Sequence, residues 1–275
     1  MAKTQADKPD PIEKKIGRWE GQFQGYREPV TAKTIHDWLA QFGSRKEIGE
    51  KVLDAVDYYG IAAIEAAFRS TVQKIEGWNT DEKQRTGRWV FAPLQGAAGK
   101  SGAAMLSYLR SALRMSGKKY QKDFLYLSDL TSAGLGPEDT LVLVDDFAGT
   151  GDQASETWEL LDEILPTEPR VVVVVVVSTR RAVSRLQKET PMTVKAHKRL
   201  DGRHNVFDEK CKFLTEPERE ELLALCKRAN KRTPRGYGDC GLTLVFCHKT
   251  PNNSIPVLHA TTANWKGLFP RIAEH

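Results

Sequence analysis

Cysteine is scarce in this chain, and its spacing does not match a metal site. The sequence has 275 residues and four cysteines. No two of them form a Cys-x-x-Cys pair, and no histidines follow at the intervals of a zinc finger. The pattern favours reduced, mostly buried thiols over a structural zinc site. The cysteines are Cys211, Cys226, Cys240 and Cys247.

Long apolar runs are also missing. The longest is the valine run 171–177, which suits a buried strand and falls far short of the roughly 20 residues that a membrane-spanning helix needs. The opening residues MAKTQADKPDPIEKK lack the apolar segment of a secretory signal. We therefore expect a cytoplasmic protein with no membrane partner.

Positive charge is unevenly distributed. The formal net charge is only +5, yet residues 180–235 hold sixteen Lys/Arg against eight Asp/Glu. Such clustering is typical of a surface that binds RNA or DNA, and it also occurs on solvated, lysine-rich helix faces. The run Lys227–Arg232 has the same two interpretations, since cations also complement the dipole at a helix C-terminus.

The pattern divides the chain into a flexible tail (1–15), a helical N-terminal extension (16–85) and an α/β domain with a basic C-terminal elaboration (86–275). In the extension, Ile35, Trp38, Leu39 and Phe42 share one helical face. SRKE at 44–47 has the form of a capping box that opens a second helix. This part shows no chemistry and suits packing or partner binding.

Strands alternate with helices after Trp89. The predicted strands are WVFAPL, FLYL, TLVLV and the valine run, and the predicted helices are AAMLSYLRSALRM, QASETWELLDEIL and RRAVSRLQKE. This alternation predicts right-handed crossovers and a mostly parallel sheet flanked by helices. Farther on, TEPE at 215–218 predicts a capped helix start, and GYGDCGLTLVFCH returns to strand character.

The first predicted loop with chemistry is QGAAGKSG. Its small residues allow backbone N–H groups to approach a phosphate at a helix N-terminus, and Lys100 adds a cation. The loop is nearly the P-loop of an NTPase. That motif requires a glycine where this chain has Leu94, so the P-loop interpretation is disfavoured.

The second loop is DDFAGTGDQ. Asp145 and Asp146 end a predicted strand, where two carboxylates can accept hydrogen bonds from vicinal hydroxyls or hold a hydrated Mg²⁺. Thr150, Gly151 and the following helix N-terminus can seat a phosphate. The pattern predicts a site for a ribose 5-phosphate unit, and the competing interpretation is an acidic strand end followed by an ordinary turn.

This second loop resembles the 5-phosphoribosyl 1-pyrophosphate (PRPP) loop of type I phosphoribosyltransferases. The resemblance implies a type I phosphoribosyltransferase-like α/β fold, with Asp145 and Asp146 as catalytic residues that bind the ribose hydroxyls and Mg²⁺, directly or through water. It implies that the 5-phosphate is wrapped by Ala148, Gly149, Thr150, Gly151, Asp152 and Gln153. The stretch 98–102 is similar to the family's pyrophosphate loop, with Lys100 catalytic and Gly99, Ser101 and Gly102 binding.

A narrower resemblance covers most of the chain. TIHDWLAQF, VDDFAGTG, GYGDCGLTLVF and CHKTPNNSIPVLH with LFPR are similar to the phosphoribosyltransferase-like family of bacterial conflict, or anti-phage, systems, which includes effectors encoded beside retron reverse transcriptases. This implies an effector or toxin that acts on PRPP or a ribonucleotide, with a reverse transcriptase among its potential partner proteins. Glycosyl transfer, or hydrolysis of an N-glycosidic or pyrophosphate bond, is the implied reaction. The alternative is a non-catalytic subunit that senses a nucleotide or docks on RNA or DNA.

Two departures from the family pattern bear on activity. Gln153 stands where many members carry a hydroxyl residue. The connection TSAGLGPEDT is shorter than the flexible loop that closes over the reacting sugar in active type I enzymes and excludes water. An open site favours hydrolysis, or sensing without turnover, over transfer to a base.

A few C-terminal residues are weaker candidates. Tyr237, Trp265 and Phe269 have the ring systems to stack on a base, although such residues more often belong to the core. His248 and His259 lie near the same predicted strands, and we expect them to be structural.

Overall fold

The computed structural model describes residues 11–95, 101–165 and 169–271. The α-helices are α1 (Pro11–Gln22), α2 (Ala32–Ala40), α3 (Lys46–Asp54), α4 (Ile61–Val72), α5 (Gly102–Ala112), α6 (Asp152–Ile164), α7 (Arg180–Glu189), α8 (Glu216–Ala229) and α9 (Pro256–His259). The strands are β1 (Asp57–Tyr59), β2 (Trp89–Pro93), β3 (Thr140–Ala148), β4 (Arg170–Thr179), β5 (Thr193–Leu200), β6 (Leu244–Phe246), β7 (Thr261–Thr262) and β8 (Trp265–Lys266). Short 3₁₀ helices cover Gly43–Arg45, Glu82–Gln84, Lys118–Asp123, Leu127–Ser132, Gly202–His204 and Tyr237–Asp239.

The chain forms two compact units. One combines Met1–Gly60 with Gly202–His275, and the other is the continuous segment Ile61–Asp201. This grouping differs from the predicted division at residue 86. Helix α4 belongs with the continuous segment, and the C-terminal third belongs with the N-terminal helices.

The continuous unit is built on a parallel four-stranded sheet in the order β2-β3-β4-β5. The central pair runs in one register from Thr140 opposite Arg170 to Ala148 opposite Ser178. The valine run of β4 is buried between β3 and β5, as the continuous apolar sequence predicted. The prediction of a parallel α/β sheet flanked by helices is confirmed.

Helices cover both faces of this sheet. Helices α6 and α7 bury Leu161 and Leu186 in one cluster with Leu141, Leu143 and Val173. Helix α4 packs on β4 and β5, and α5 packs on β2 and β3. Successive residues of a strand point to opposite faces of the sheet. The strand residues outside this cluster therefore point to the other face, which α4 and α5 cover.

Two details of the sheet differ from the sequence prediction. FLYL is not a regular strand, since Phe124 forms only an isolated parallel bridge with Phe91 between two 3₁₀ helices. Strand β5 was missed, because its sequence TVKAHKRL is polar and only Val194 and Leu200 are buried. An edge strand needs less apolar sequence than a central one, because one of its sides faces solvent.

In the other unit, aromatic residues dominate the core. Trp38 and Trp265 both donate their indole N–H to the carbonyl of Val257, each over 2.8 Å. Phe23 packs edge-on against Phe269, with ring centroids 4.9 Å apart. The core interpretation of Trp265 and Phe269 is confirmed, whereas Tyr237 is 44% exposed.

The predicted helix starts of this unit are only partly confirmed. The Thr215–Glu218 capping box of α8 is present, as predicted. The one predicted at SRKE is wrong, because α3 begins at Lys46 after a 3₁₀ turn and Arg45 makes no side-chain cap. The predicted tail (1–15) is also too long, since α1 begins at Pro11. Strand character at GYGDCGLTLVFCH is confirmed only for β6, which pairs in parallel with β1.

Among the described residues, no helix is long and apolar enough to cross a membrane.

Candidate functional site

The candidate site lies where β2 and β3 end. After β2 the chain enters α5, on one face of the sheet, and after β3 it enters α6, on the other. In open α/β sheets, neighbouring strands whose connections leave on opposite faces create a crevice at their carboxyl ends, and ligands bind there. Both loops that the sequence singled out begin at this point.

The first loop is partly described. Gly99 and Lys100, with Ala98, lie outside the described residues. Ser101 directly precedes α5, and Gly102 is its first residue. A Cβ at Gly102 would lie 2.9 Å from the carbonyl oxygen of Gln95, so glycine allows the two ends of the loop to meet.

The two acids lie within the last four residues of β3 and not after it, because the strand extends past them to Ala148 and continues to pair with β4. Asp145 is 4% exposed and Asp146 is half-buried. Oδ1 of Asp145 accepts hydrogen bonds from the hydroxyl of Ser101 and from the backbone N–H of Asp146, each 2.9 Å long. The structure therefore brings together three of the predicted site residues, from both loops.

Burial controls the ionisation of Asp145. It raises the pKa of Asp145 from 3.8 to about 8, and the negative charge of Asp146 adds to the rise. The hydrogen bonds from the Asp146 backbone and the Ser101 hydroxyl oppose it, because they stabilise the ionised form. Asp145 therefore retains a proton near neutral pH until a ligand changes its surroundings.

The phosphate turn, which we define as residues 149–152, follows directly. Gly151 precedes α6 with φ of +88°, a left-handed conformation that glycine adopts without strain. Thr150 is buried, and its hydroxyl donates to Oδ2 of Asp152 over 2.5 Å. Gln153 is exposed in the first turn of α6, and Ala148 ends β3. These predicted phosphate-binding residues are contiguous, but a carboxylate stands among them.

Two threonines that sequence reasoning missed hold this turn. Thr157 donates from its hydroxyl to the carbonyl of Leu94 over 2.8 Å, which fixes α6 to the end of β2. Thr179 caps α7 through the N–H of Ala182 at 3.0 Å and donates to the carbonyl of Gly149 over 2.5 Å. A threonine between a strand and a helix is a capping signal, so Thr179 was detectable from sequence.

Arg185 of α7 was also missed. Its guanidinium donates through NH1 to Oδ1 of Asp152 and through Nε to Glu189 at 2.8 Å. Its Cδ lies 3.6 Å from the position of a Cβ at Gly151. No local sequence pattern indicates this contact, because it joins residues 33 positions apart.

The basic segment 180–235 is divided between the two compact units. Several of its cations make internal contacts. Arg228 donates to the carbonyl of Gln41 over 2.6 Å and lies over the ring of Trp265. Arg219 bonds the carbonyl of Leu214 at 3.1 Å. The positive charge of this segment is therefore shared between the two units, and Arg228 and Arg219 use theirs in internal contacts.

The acids at the end of β3 suit a weakly held metal ion. Among the residues that the structure describes, no three His, Cys, Asp or Glu side chains cluster as a metal site. Mg²⁺ does not require such a cluster, since it commonly binds one or two carboxylates together with water and substrate phosphates. Asp145 and Asp146 fit that mode, because they supply two neighbouring carboxyl groups on β3.

The segment between Phe124 and β3 does not project as a lid. Its residues Leu130 and Leu135 are buried in the cluster under α6 and α7. Asp139 accepts the backbone N–H groups of Arg88 and Gly136, each over 2.8 Å. The connection TSAGLGPEDT is thus anchored to the core through Leu135, although half of its residues are exposed.

The model of the PRTase-CE family matches residues 35–271. The chain belongs to this family. Membership extends over both compact units and accounts for the phosphoribosyltransferase-like fold that the sequence predicted. Among solved structures, the orotate phosphoribosyltransferase from Aeropyrum pernix is similar in part, with 19% identity over 48% of this chain and 68% of that chain and a TM-score of 0.32. No curated protein matches the chain.

Proposed function

We propose that this PRTase-CE protein binds PRPP or a ribonucleotide at residues 145–153 and cleaves a bond at the anomeric carbon or within the polyphosphate. One observation carries the proposal. Paired acids near the end of a parallel strand are followed, after two further strand residues, by a glycine turn into a helix N-terminus, beside the end of a second small-residue loop. This arrangement offers acceptors for ribose hydroxyls next to donors for a phosphate.

Each part of the site has a defined task in this proposal. Asp145 and Asp146 orient the ribose through its hydroxyls. The backbone N–H groups of the phosphate turn and of the start of α6 bind the 5-phosphate. Lys100, with Gly99, Ser101 and Gly102, steadies the leaving group or polyphosphate. Mg²⁺, when bound at the acids, would neutralise phosphate charge.

Hydrolysis is the reaction class that the site supports best. The segment before β3 is packed on the core through Leu130 and Leu135. Closure over an oxocarbenium-like centre protects that centre from water. If this segment does not close over the sugar, water is favoured over a base as the acceptor.

The first experiment is a substrate panel. Purified protein is incubated with Mg²⁺ and PRPP, ATP, GTP or NAD, and the products are separated by chromatography. Release of a free base or pyrophosphate, abolished in Asp145→Asn/Asp146→Asn and retained in the exposed control Asp162→Asn, would establish the enzyme and name its substrate class. Absence of turnover and of ligand-induced thermal stabilisation in the wild type would refute the ribose-phosphate proposal.

A second candidate function is nucleotide sensing without turnover. It is supported by the segment before β3, which is packed on the core through Leu130 and Leu135, because ligand binding, unlike transfer to a base, does not require closure over the sugar. Thermal stabilisation by the same ligands, lost in the double-aspartate variant but without any product, would select this function. If neither effect occurs, docking on RNA or DNA through segment 180–235 becomes the function to test, by electrophoretic mobility shift.

We further propose a role in anti-phage defence, on the basis of the motifs shared with the conflict-system family. A plaque assay tests it: bacteria that carry the wild-type gene with its native neighbours should lose protection when Asp145 and Asp146 are replaced. Co-purification from the same cells would identify a partner such as a reverse transcriptase. Equal plaque numbers with the wild-type gene, the variant and an empty vector would count against the role.

A further inference from the structure

The phosphate turn contains its own anion. Asp152, the first residue of α6, directs one carboxylate oxygen at the hydroxyl of Thr150 and the other at the guanidinium of Arg185. A hydroxyl and a guanidinium at a helix N-terminus are the donors that a phosphate monoester would take. The carboxylate therefore uses two donors of the kind that a phosphate would use.

Helix α7 holds Arg185 against this turn. Thr179 joins the start of α7 to the carbonyl of Gly149. Farther along the helix, Glu189 accepts Nε of Arg185 at 2.8 Å, and Ser155 of α6 donates to the same Glu189 oxygen over 3.1 Å. The Arg185 side chain is 36% exposed, so it is oriented by protein contacts while remaining partly accessible to solvent.

Charge determines what must happen when a phosphate binds. A phosphate monoester carries a charge of about −1.5 to −2 near neutral pH, and next to an ionised Asp152 it would be repelled. The planar guanidinium of Arg185 has donors that match both a carboxylate and a phosphate. It can therefore exchange one anion for the other and remain hydrogen-bonded.

We propose that Arg185 is a phosphate-binding residue of this site and that Asp152 is a built-in competitor that holds Arg185 and Thr150 until a phosphate displaces it. This inference rests on the proposed function, since it assigns the donors for the ligand's phosphate. It also predicts a selective site: weaker anions do not displace Asp152, whereas a phosphate monoester does.

Calorimetric titration with ribose 5-phosphate tests the proposal. Arg185→Gln should weaken binding about ten- to hundredfold, the range expected when hydrogen bonds to a charged group are lost. Asp152→Asn should strengthen it, because the competitor is removed. The double variant Asp152→Asn/Arg185→Gln should stay at least about tenfold weaker than Asp152→Asn alone. Lys188→Gln, which removes the same charge from an exposed position of α7, should bind as the wild type does.

The ³¹P resonance of the bound ligand separates contact from mere structural support. The ³¹P chemical shift should change in Arg185→Gln and also in Arg185→Lys, because lysine keeps the charge but lacks the planar donors. It should stay unchanged in Lys188→Gln. If Arg185→Gln does not fold, the Arg185→Lys comparison supplies the same test.

Three results would overturn the inference: unchanged binding in Arg185→Gln, a double variant as tight as Asp152→Asn, or no tightening in Asp152→Asn. If one of these results is obtained but the wild type still binds the ligand, and if that binding depends on Asp146, the proposed function remains valid. If the wild type binds neither ribose 5-phosphate nor PRPP, both proposals fail together.

Discussion

The hydroxyl of Ser101 donates a 2.9 Å hydrogen bond to Oδ1 of Asp145, and this contact joins the start of α5 to the end of β3. Two loops 44 residues apart in sequence thus become one site. The bond also reaches the most deeply buried acid of the site and stabilises its ionised form.

Replacement of Ser101 by alanine tests this link. The hydroxyl stabilises the ionised carboxylate, so its loss should raise the pKa of Asp145 further. Titration of the ¹³C-labelled aspartate carboxyl groups by NMR measures the change. Ser107→Ala, at an exposed position of the same helix, should leave that titration unchanged. An equal midpoint in Ser101→Ala and the wild type would contradict the prediction.

The pH dependence of stability should carry the signature of Asp145. Its pKa is about 8 in the folded chain and 3.8 ordinarily, so between these values the folded state binds the extra proton. Its contribution to stability is complete below pH 4 and declines as the pH rises towards 8, at up to about 1.4 kcal/mol per pH unit. The lowered pKa of Glu218, about 2, acts only at more acidic pH.

Asp145→Asn should therefore flatten the fall in the free energy of unfolding between pH 5 and pH 8. Urea denaturation at several pH values measures it, and the exposed Asp162→Asn should keep the wild-type slope. Parallel curves for Asp145→Asn and the wild type would show that burial does not hold a proton on this acid.

Gly151 should tolerate substitution poorly because of its backbone conformation. Its φ of +88° costs a residue with a Cβ about 1–2 kcal/mol. Gly151→Ala should lower the free energy of unfolding by about that amount and weaken PRPP binding, since the turn would shift. Gly151→Asn should cost less, because asparagine enters the left-handed region more readily. Equal losses for the two variants would point to crowding against Ala182 instead.

Thr157 should contribute to stability through its buried hydroxyl. Thr157→Val keeps the shape but removes the bond to the Leu94 carbonyl, which should lower the free energy of unfolding by about 1–2 kcal/mol. The matched change Thr193→Val, at an exposed strand position, should stay within about 0.5 kcal/mol of the wild type. Thermal or urea denaturation distinguishes the two, and similar values would remove Thr157 from the support of the site.

Gly17→Ala, in the other compact unit, should raise the free energy of unfolding, whereas the preceding variants lower it. Gly17 lies exposed within α1, and a Cβ there meets nothing within 4 Å. Alanine should raise stability by about 0.5–1 kcal/mol, because it loses less conformational freedom in a helix. A decrease measured by the same denaturation would mean that α1 is not helical at this position.

The sequence by itself determined the local parts of this protein. Apolar runs specified β2, β3 and β4, the glycines of Gly149–Gly151 specified the turn before α6, and Thr215 with Glu218 specified the start of α8. These features depend on residues within a few positions of each other, where periodicity and capping chemistry act. The end of β3 was predicted too early, since the strand continues past Asp145 and Asp146 to Ala148.

Only the tertiary structure decided the rest, because long-range pairing leaves no periodic signal. It paired β6 with β1, used the polar segment Thr193–Leu200 as an edge strand, and reduced FLYL to a single bridge. It also brought Ser101 to Asp145 and Arg185 to Asp152. Those contacts join separate loops and helices, and they arise from how the helices pack on the sheet.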